Sequence, residues 1–142
     1  MVAANERQRS RRLDRRPVKV LTDTHTLVWA LTGQPIGAAA RAALAVSPYT
    51  ASAANLWELV LKSRKPGALL ADPVAWWEKY VVAPRIPTLA IRIRHIRKLA
   101  SLPELHKDPF DRILVAQALA EGLTLATKDA MLARYGAPVV WE

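Results

Sequence analysis

Ten acidic residues lie between Val18 and the end of the chain, and five of them fall where carboxylates could act together: Asp23, Glu58, Asp108, Asp111 and Asp129. Carboxylates crowded into one place repel and raise one another's pKa unless a divalent ion compensates them. The chain has no cysteine and no spaced pair of histidines, so hard oxygen ligands point to Mg²⁺ or Mn²⁺ rather than zinc. Such an ion in a basic protein suits phosphodiester hydrolysis, because it polarises a phosphoryl oxygen, lowers the pKa of bound water and stabilises the leaving oxygen.

Each acid also has a purely structural reading. Asp108-Pro109-Phe110-Asp111 fits a capped helix start, with proline at the first helical position and a second acid completing a box-like arrangement. Asp129 could cap the helix that follows it, and Asp23 at a strand end could be an Asx-turn residue. Glu58 has Lys62 four residues on for an ordinary ion pair.

Alternating strands and helices must position these side chains. Val18–Thr22 is a short apolar run that stops at Asp23, with Thr24 and Thr26 as candidate caps for a helix around Leu27 to Leu31. A second helix over 38–46 leads to a small-residue strand over 49–53, then a helix over 54–65 with Leu56, Leu59 and Val60 on one face. Pro73 opens a helix to Tyr80, a strand is expected over 86–91, and a strongly basic helix over 93–102 carries Arg92, Arg94, Arg97 and Lys98 in or beside it. Pro109 opens a nearly all-apolar helix to Ala120, followed by a strand over 123–127, a short helix over 130–135 and a last strand over 138–141. The order predicts one α/β domain over 18–142, with a mostly parallel sheet of about five strands flanked by helices. Ligands of such sheets bind outside the carboxyl ends of the strands, where Asp23 and Asp129 fall directly.

The 142 residues carry 21 Lys and Arg against 12 Asp and Glu, a net charge of +9, which suggests a polyanionic partner. Residues 1–17 hold six Arg against Glu6 and Asp14 with almost no bulky apolar residue, and read as a basic, flexible N-terminal extension. Without cysteine, disulfides, a thiolate zinc site and a cysteine nucleophile are excluded. No run approaches a membrane span and the start lacks the pattern of an export signal, so the expected location is the cytoplasm. Trp29 and Trp57 are expected in the core, one of the adjacent Trp76 and Trp77 facing away from it, His25 packed beside the acids, and His95 and His106 at the surface.

Four segments, Leu21-Thr22-Asp23-Thr24-His25, Ser52-Ala53-Ala54-Asn55-Leu56-Trp57-Glu58-Leu59, His106-Lys107-Asp108-Pro109-Phe110-Asp111-Arg112 and Leu125-Ala126-Thr127-Lys128-Asp129, resemble those of the PIN-domain nucleases, in particular the VapC-type toxins of bacterial toxin–antitoxin systems. The resemblance covers about Val18 to Trp141, and its most specific part is D-P-F-D-R followed by the I-L-V-A-Q-A helix. It implies a PIN-like fold, a Mg²⁺ or Mn²⁺ site, endoribonuclease activity held in check by a cognate antitoxin, and 5′-phosphate and 3′-hydroxyl products; a homodimer is the expected assembly, although the sequence does not fix the oligomeric state. Carried over by position, Asp23, Glu58, Asp111 and Asp108 are metal ligands and Asp129 a fourth-motif acid, often one step removed from the metal. Thr127, Asn55 and Ser52 would orient carboxylates or water, with helix capping as the competing role for Ser52 and Asn55. Lys62, Arg64 and Arg112 are candidate RNA contacts, and residues 1–17 have no counterpart in the family pattern. Two other classes remain open: a phosphoacceptor or phosphatase domain using Asp23, and a non-catalytic RNA-binding module.

Overall fold

The computed structural model describes residues 19–46 and 48–142; the extension expected over residues 1–17 lies outside the described residues. Val20–Thr22 forms β1, buried on both faces as a central parallel strand must be. The chain turns at Asp23 into α1, Thr24–Leu31. Thr24 and Thr26 lie inside that helix, and Asp23, the stronger capping type, accepts the Thr26 N–H at 2.9 Å instead. α2 (Ala38–Val46) leads back to β2 (Tyr49–Ser52), and α3 (Ala53–Lys62) starts directly from that strand. α3 stops before residue 65 because Pro66 disfavours helical backbone ahead of it.

α4 (Pro73–Trp77) is capped by Asp72 and runs on as a π-helical turn, Glu78–Val82, closed by Ala83 N–H to Glu78 O at 3.0 Å. β3 is only Thr88–Leu89 rather than 86–91, since Pro87 has no N–H for a ladder, although its carbonyl accepts from Ala51 N at 2.9 Å. α5 is Ile93–Ser101 and α6 is Pro109–Glu121, ended by Gly122 at φ 66°, a left-handed conformation that glycine adopts without strain. β4 (Thr124–Ala126), a 3₁₀ helix (Ala130–Tyr135) and β5 (Val139–Val140) complete the chain.

The five strands are all parallel, in the order β3-β2-β1-β4-β5. The chain moves outward from β1 to β2 and β3, then returns to the other side of β1 as β4. The switch point therefore lies between β1 and β4, and Asp23 N donates to Ala126 O across it at 3.0 Å. α6 packs into one apolar cluster with Leu21, Leu125, Leu132 and Tyr135, and Ile113 through Ala118 are all buried. Leu27, Ala51, Trp77 and Val81 form a second cluster. The π-helical turn keeps both Trp77 and Val81 inward.

Three expectations fail on packing. Trp57 is 53% exposed, with only an edge against the Phe110 ring (centroids 5.0 Å apart), and Val60 is also exposed, so α3 buries Leu59 and leaves an apolar outer strip. His95 is fully buried, its Nδ1 accepting from Arg92 N and its Nε2 bonded to Glu121 at 2.8 Å. Trp76 is partly buried against the second cluster rather than turned away from it.

Candidate metal centre

The site assembles from the end of β1, the body of α3 and the start of α6, which the sheet brings together. Asp23 leaves β1 and is 9% exposed; one of its oxygens is spent on the α1 cap. Glu58, 4% exposed on α3, meets Lys62 Nζ at 2.6 Å, the helical i, i+4 pair. At the start of α6, Asp108 Oδ1 accepts from Phe110 N (2.8 Å) and Asp111 N (3.3 Å), while Pro109 has no N–H to leave unpaired. Asp108 Oδ2 is thereby free to face Lys62 Nζ at 3.6 Å. Burial alone would lower the Lys62 pKa, but the bond to Glu58 and the charges of Glu58 and Asp108 outweigh it and hold the ammonium above its ordinary value.

Asp111, in the first turn of α6, pairs with no Lys or Arg among the described residues, and its Oδ2 lies 3.7 Å from His106 Nε2. Its pKa is pushed from 3.8 to about 7, first by burial, then by the charges of Asp108, Asp23 and Glu58, with His106 pulling the other way. Four of the sequence-derived acids thus share one electrostatic neighbourhood. Asp129 joins through His106: its Oδ1 caps the 3₁₀ helix at Met131 N (3.0 Å), and its Oδ2 lies 2.9 Å from His106 Nε2. His106, Asp111 and Asp129 each offer a ligand-type atom within 4.8 Å of the others. His106 is therefore not the isolated surface residue expected, and its place two residues before Asp108, inside the quoted motif, is the signal that could have found it.

The supporting residues are engaged mainly with the protein itself. Asn55 Oδ1 accepts from Ser52 N at 2.7 Å and its Nδ2 donates to Thr24 Oγ1 at 3.1 Å, tying α3 to α1. Ser52 Oγ accepts from Ala54 N and donates to Gln117 Oε1 at 2.6 Å. Thr127 Oγ1 accepts from Asp129 N at 3.1 Å and shapes the turn that carries Asp129. Gln117, the one polar side chain within the apolar run of α6, was missed as a support although that isolation marks it. Of the expected RNA contacts, Lys62 sits among the acids, Arg64 is exposed beyond α3, and Arg112 donates to Pro103 O (2.9 Å) and Tyr135 Oη (3.3 Å). His25 is exposed and edge-on to Trp29, beside a cavity of about 210 Å³ whose lining includes Glu58, Lys62, Lys65 and Leu69.

The PIN-domain family model matches residues 20–138. The chain belongs to the PIN-domain family. Among solved structures, this PIN domain is similar to a DNA-bound VapBC from Salmonella typhimurium, with a TM-score of 0.66, 20% identity, and 87% of this chain and 97% of that one covered. It is similar to FitAcB from Neisseria gonorrhoeae (TM-score 0.60, 19% identity, 84% and 95% covered). VapC20 of Mycobacterium tuberculosis, a sarcin-ricin-loop-cleaving toxin, matches at TM-score 0.57 and 19% identity over 87% and 99% of the two chains. A search of curated protein sequences found no match. Among the described residues of the PIN domain, no helix is long and apolar enough to cross a membrane.

Proposed function

We propose that the protein is a metal-dependent endoribonuclease of the VapC toxin type, neutralised by a cognate antitoxin and acting as a homodimer. One observation carries this reading: Asp23, Glu58, Asp108 and Asp111 arrive from the end of β1, from α3 and from the start of α6 closely enough that three of them help raise the pKa of the fourth to about 7. The donor set fits Mg²⁺ or Mn²⁺, being carboxylate oxygen without thiolate, and its surplus of negative charge over the single Lys62 ammonium is what a divalent cation would offset. Asp23, Glu58 and Asp111 would hold the ion, with Asp108 and Asp129 at its edge. Such an ion, when bound, supplies Lewis-acid polarisation of the phosphoryl oxygen and a bound water of lowered pKa.

The remaining work falls to the chain. Lys62, already bonded to Glu58 and close to Asp108, presents an ammonium at the mouth of the acids where a phosphate oxygen would lie. Arg112 keeps donor edges beyond its bond to Pro103 O, and Arg64 adds charge beyond α3 for the RNA backbone. Cleavage of the sarcin-ricin loop by the Mycobacterium neighbour supports RNA as the substrate class, and a similar toxin–antitoxin complex from Klebsiella pneumoniae supports an antitoxin. The exposed Trp57, Val60 and Leu61 border Glu58 and Lys62 and suit a protein partner at the edge of the site.

Asp23→Asn tests the reading cleanly, because asparagine caps α1 as well as aspartate does. Loss of an anionic metal ligand should reduce Mn²⁺-dependent RNA cleavage by about a hundredfold or more while the melting temperature stays within a few degrees. Undiminished cleavage by the variant would overturn the assignment. RNA binding that survives EDTA, with no cleavage under Mn²⁺, would favour a non-catalytic module, and a phosphoenzyme trapped on Asp23 a phosphoacceptor.

A further inference from the structure

His106 lies on the loop ahead of α6, its side chain 21% exposed, and both of its ring nitrogens are engaged. Nδ1 is 3.1 Å from the backbone N of Asp108, a group that can only donate, so Nδ1 accepts. A neutral imidazole carries one proton, which must then sit on Nε2. That N–H faces Asp129 Oδ2 at 2.9 Å, with Asp111 Oδ2 beyond it at 3.7 Å.

This tautomer decides between two roles that the cluster of His106, Asp111 and Asp129 would otherwise leave equal. A protonated Nε2 has no lone pair for a cation. Ligation through Nε2 would move the proton to Nδ1, against the Asp108 N–H, and set two donors face to face at the cap of α6. Donation from Nε2 costs nothing of the kind and commits the second oxygen of Asp129, whose first already holds the 3₁₀ helix. One ring therefore joins two loops, the start of α6 through its acceptor side and the turn after β4 through its donor side.

We propose that His106 is a positioning residue, a hydrogen-bond donor that holds Asp129 beside Asp111 and sets the spacing of the acids, and is not itself a metal ligand. The inference rests on the metal-nuclease reading and goes beyond it by giving a non-acidic side chain a defined part in the site.

Two substitutions separate the two sides of the ring. In His106→Asn the side-chain oxygen replaces Nδ1 and keeps the Asp108 contact, but the amide is too short to reach Asp129. His106→Gln places an N–H near the position of Nε2 and gives up the Asp108 contact. With Mn²⁺ alone as the probe, titrated calorimetrically into the full chain, His106→Asn should bind about tenfold more weakly than wild type, the usual scale for loss of an outer hydrogen-bond partner. Its melting temperature in EDTA should remain near wild type. His106→Gln should recover most of the Mn²⁺ affinity while melting lower. Pulsed electron paramagnetic resonance of the wild-type Mn²⁺ complex should show no directly bound imidazole nitrogen. Unchanged affinity in His106→Asn, or an imidazole nitrogen on Mn²⁺, overturns the inference and leaves the nuclease reading intact. Failure of wild type to bind Mn²⁺ or to cleave RNA overturns the nuclease reading and the inference with it.

Discussion

Asp111 carries the least compensated charge of the site, and the imbalance has a definite sign. Its pKa in the folded protein is about 7 against 3.8 for an ordinary aspartate, so the folded state binds this proton more tightly than the unfolded chain does. The contribution to stability is complete below about pH 4 and is lost as pH rises towards 7. In EDTA the urea midpoint should therefore fall between pH 5 and pH 7.5, and saturating Mn²⁺ should remove most of that fall. A midpoint independent of pH in EDTA would contradict the charge crowding. At this scale the convergence of Asp23, Glu58, Asp108 and Asp111 was readable because their types and their places at the end of β1, on α3 and at the start of α6 are local facts. The role of His106 was not, because its partner Asp129 lies 23 positions away and the ring's tautomer is set by a backbone N–H that no side-chain pattern displays. Trp57 misled for the opposite reason: it sits in an apolar stretch, but Glu58 and Leu59 take the inward directions of α3 and leave it outside.

The helices are held to one another by a few buried polar ties. Asn55 joins the start of α3 to α1, and Gln117 joins α6 to Ser52 and, at 3.3 Å, to Ala90 O. Asn55→Ala leaves Ser52 N without its side-chain acceptor and Thr24 Oγ1 without a donor, and should cost about 1–3 kcal/mol in denaturant unfolding. Because those ties set how α1 and α3 meet, Mn²⁺ affinity should weaken in the same variant even at temperatures where it is fully folded. The starts of α4 and α6 were legible from sequence, since Pro73 and Asp108-Pro109 mark them within two residues, whereas that of α1 was placed too late because Thr24 and Thr26 compete with Asp23 as caps. The short β3 and the π-helical turn were not, because each is settled by a neighbour: a strand that Pro87 can serve only as acceptor, and a core that takes both Trp77 and Val81.

Over the whole molecule, strand order is the property that sequence concealed and on which the site depends. A succession of strands and helices indicates a parallel sheet, but nothing local says that β4 lies against β1 rather than β3. At the β5 edge, Gly37 approaches the carbonyl of Trp141 so closely that an added Cβ would stand 2.1 Å from the oxygen, and Ala40 N donates to the same carbonyl at 3.0 Å. Gly37→Ala should thus displace the segment after β5 and destabilise the fold by about 1–3 kcal/mol, read from the urea midpoint, with the proposed nuclease activity preserved below the new transition. An unchanged midpoint would show that this edge yields freely.

The pairing of β1 with β4 also has a consequence in time. Asp23 is made early, yet the neighbour that completes its surroundings is synthesised about a hundred residues later. Contacts that distant along the chain carry a larger loop-closure cost than local ones. A nascent or truncated product ending before β4 holds Asp23, Glu58, Asp108 and Asp111 without the strand that aligns them, so the nuclease activity proposed above should arrive only after translation has passed Asp129.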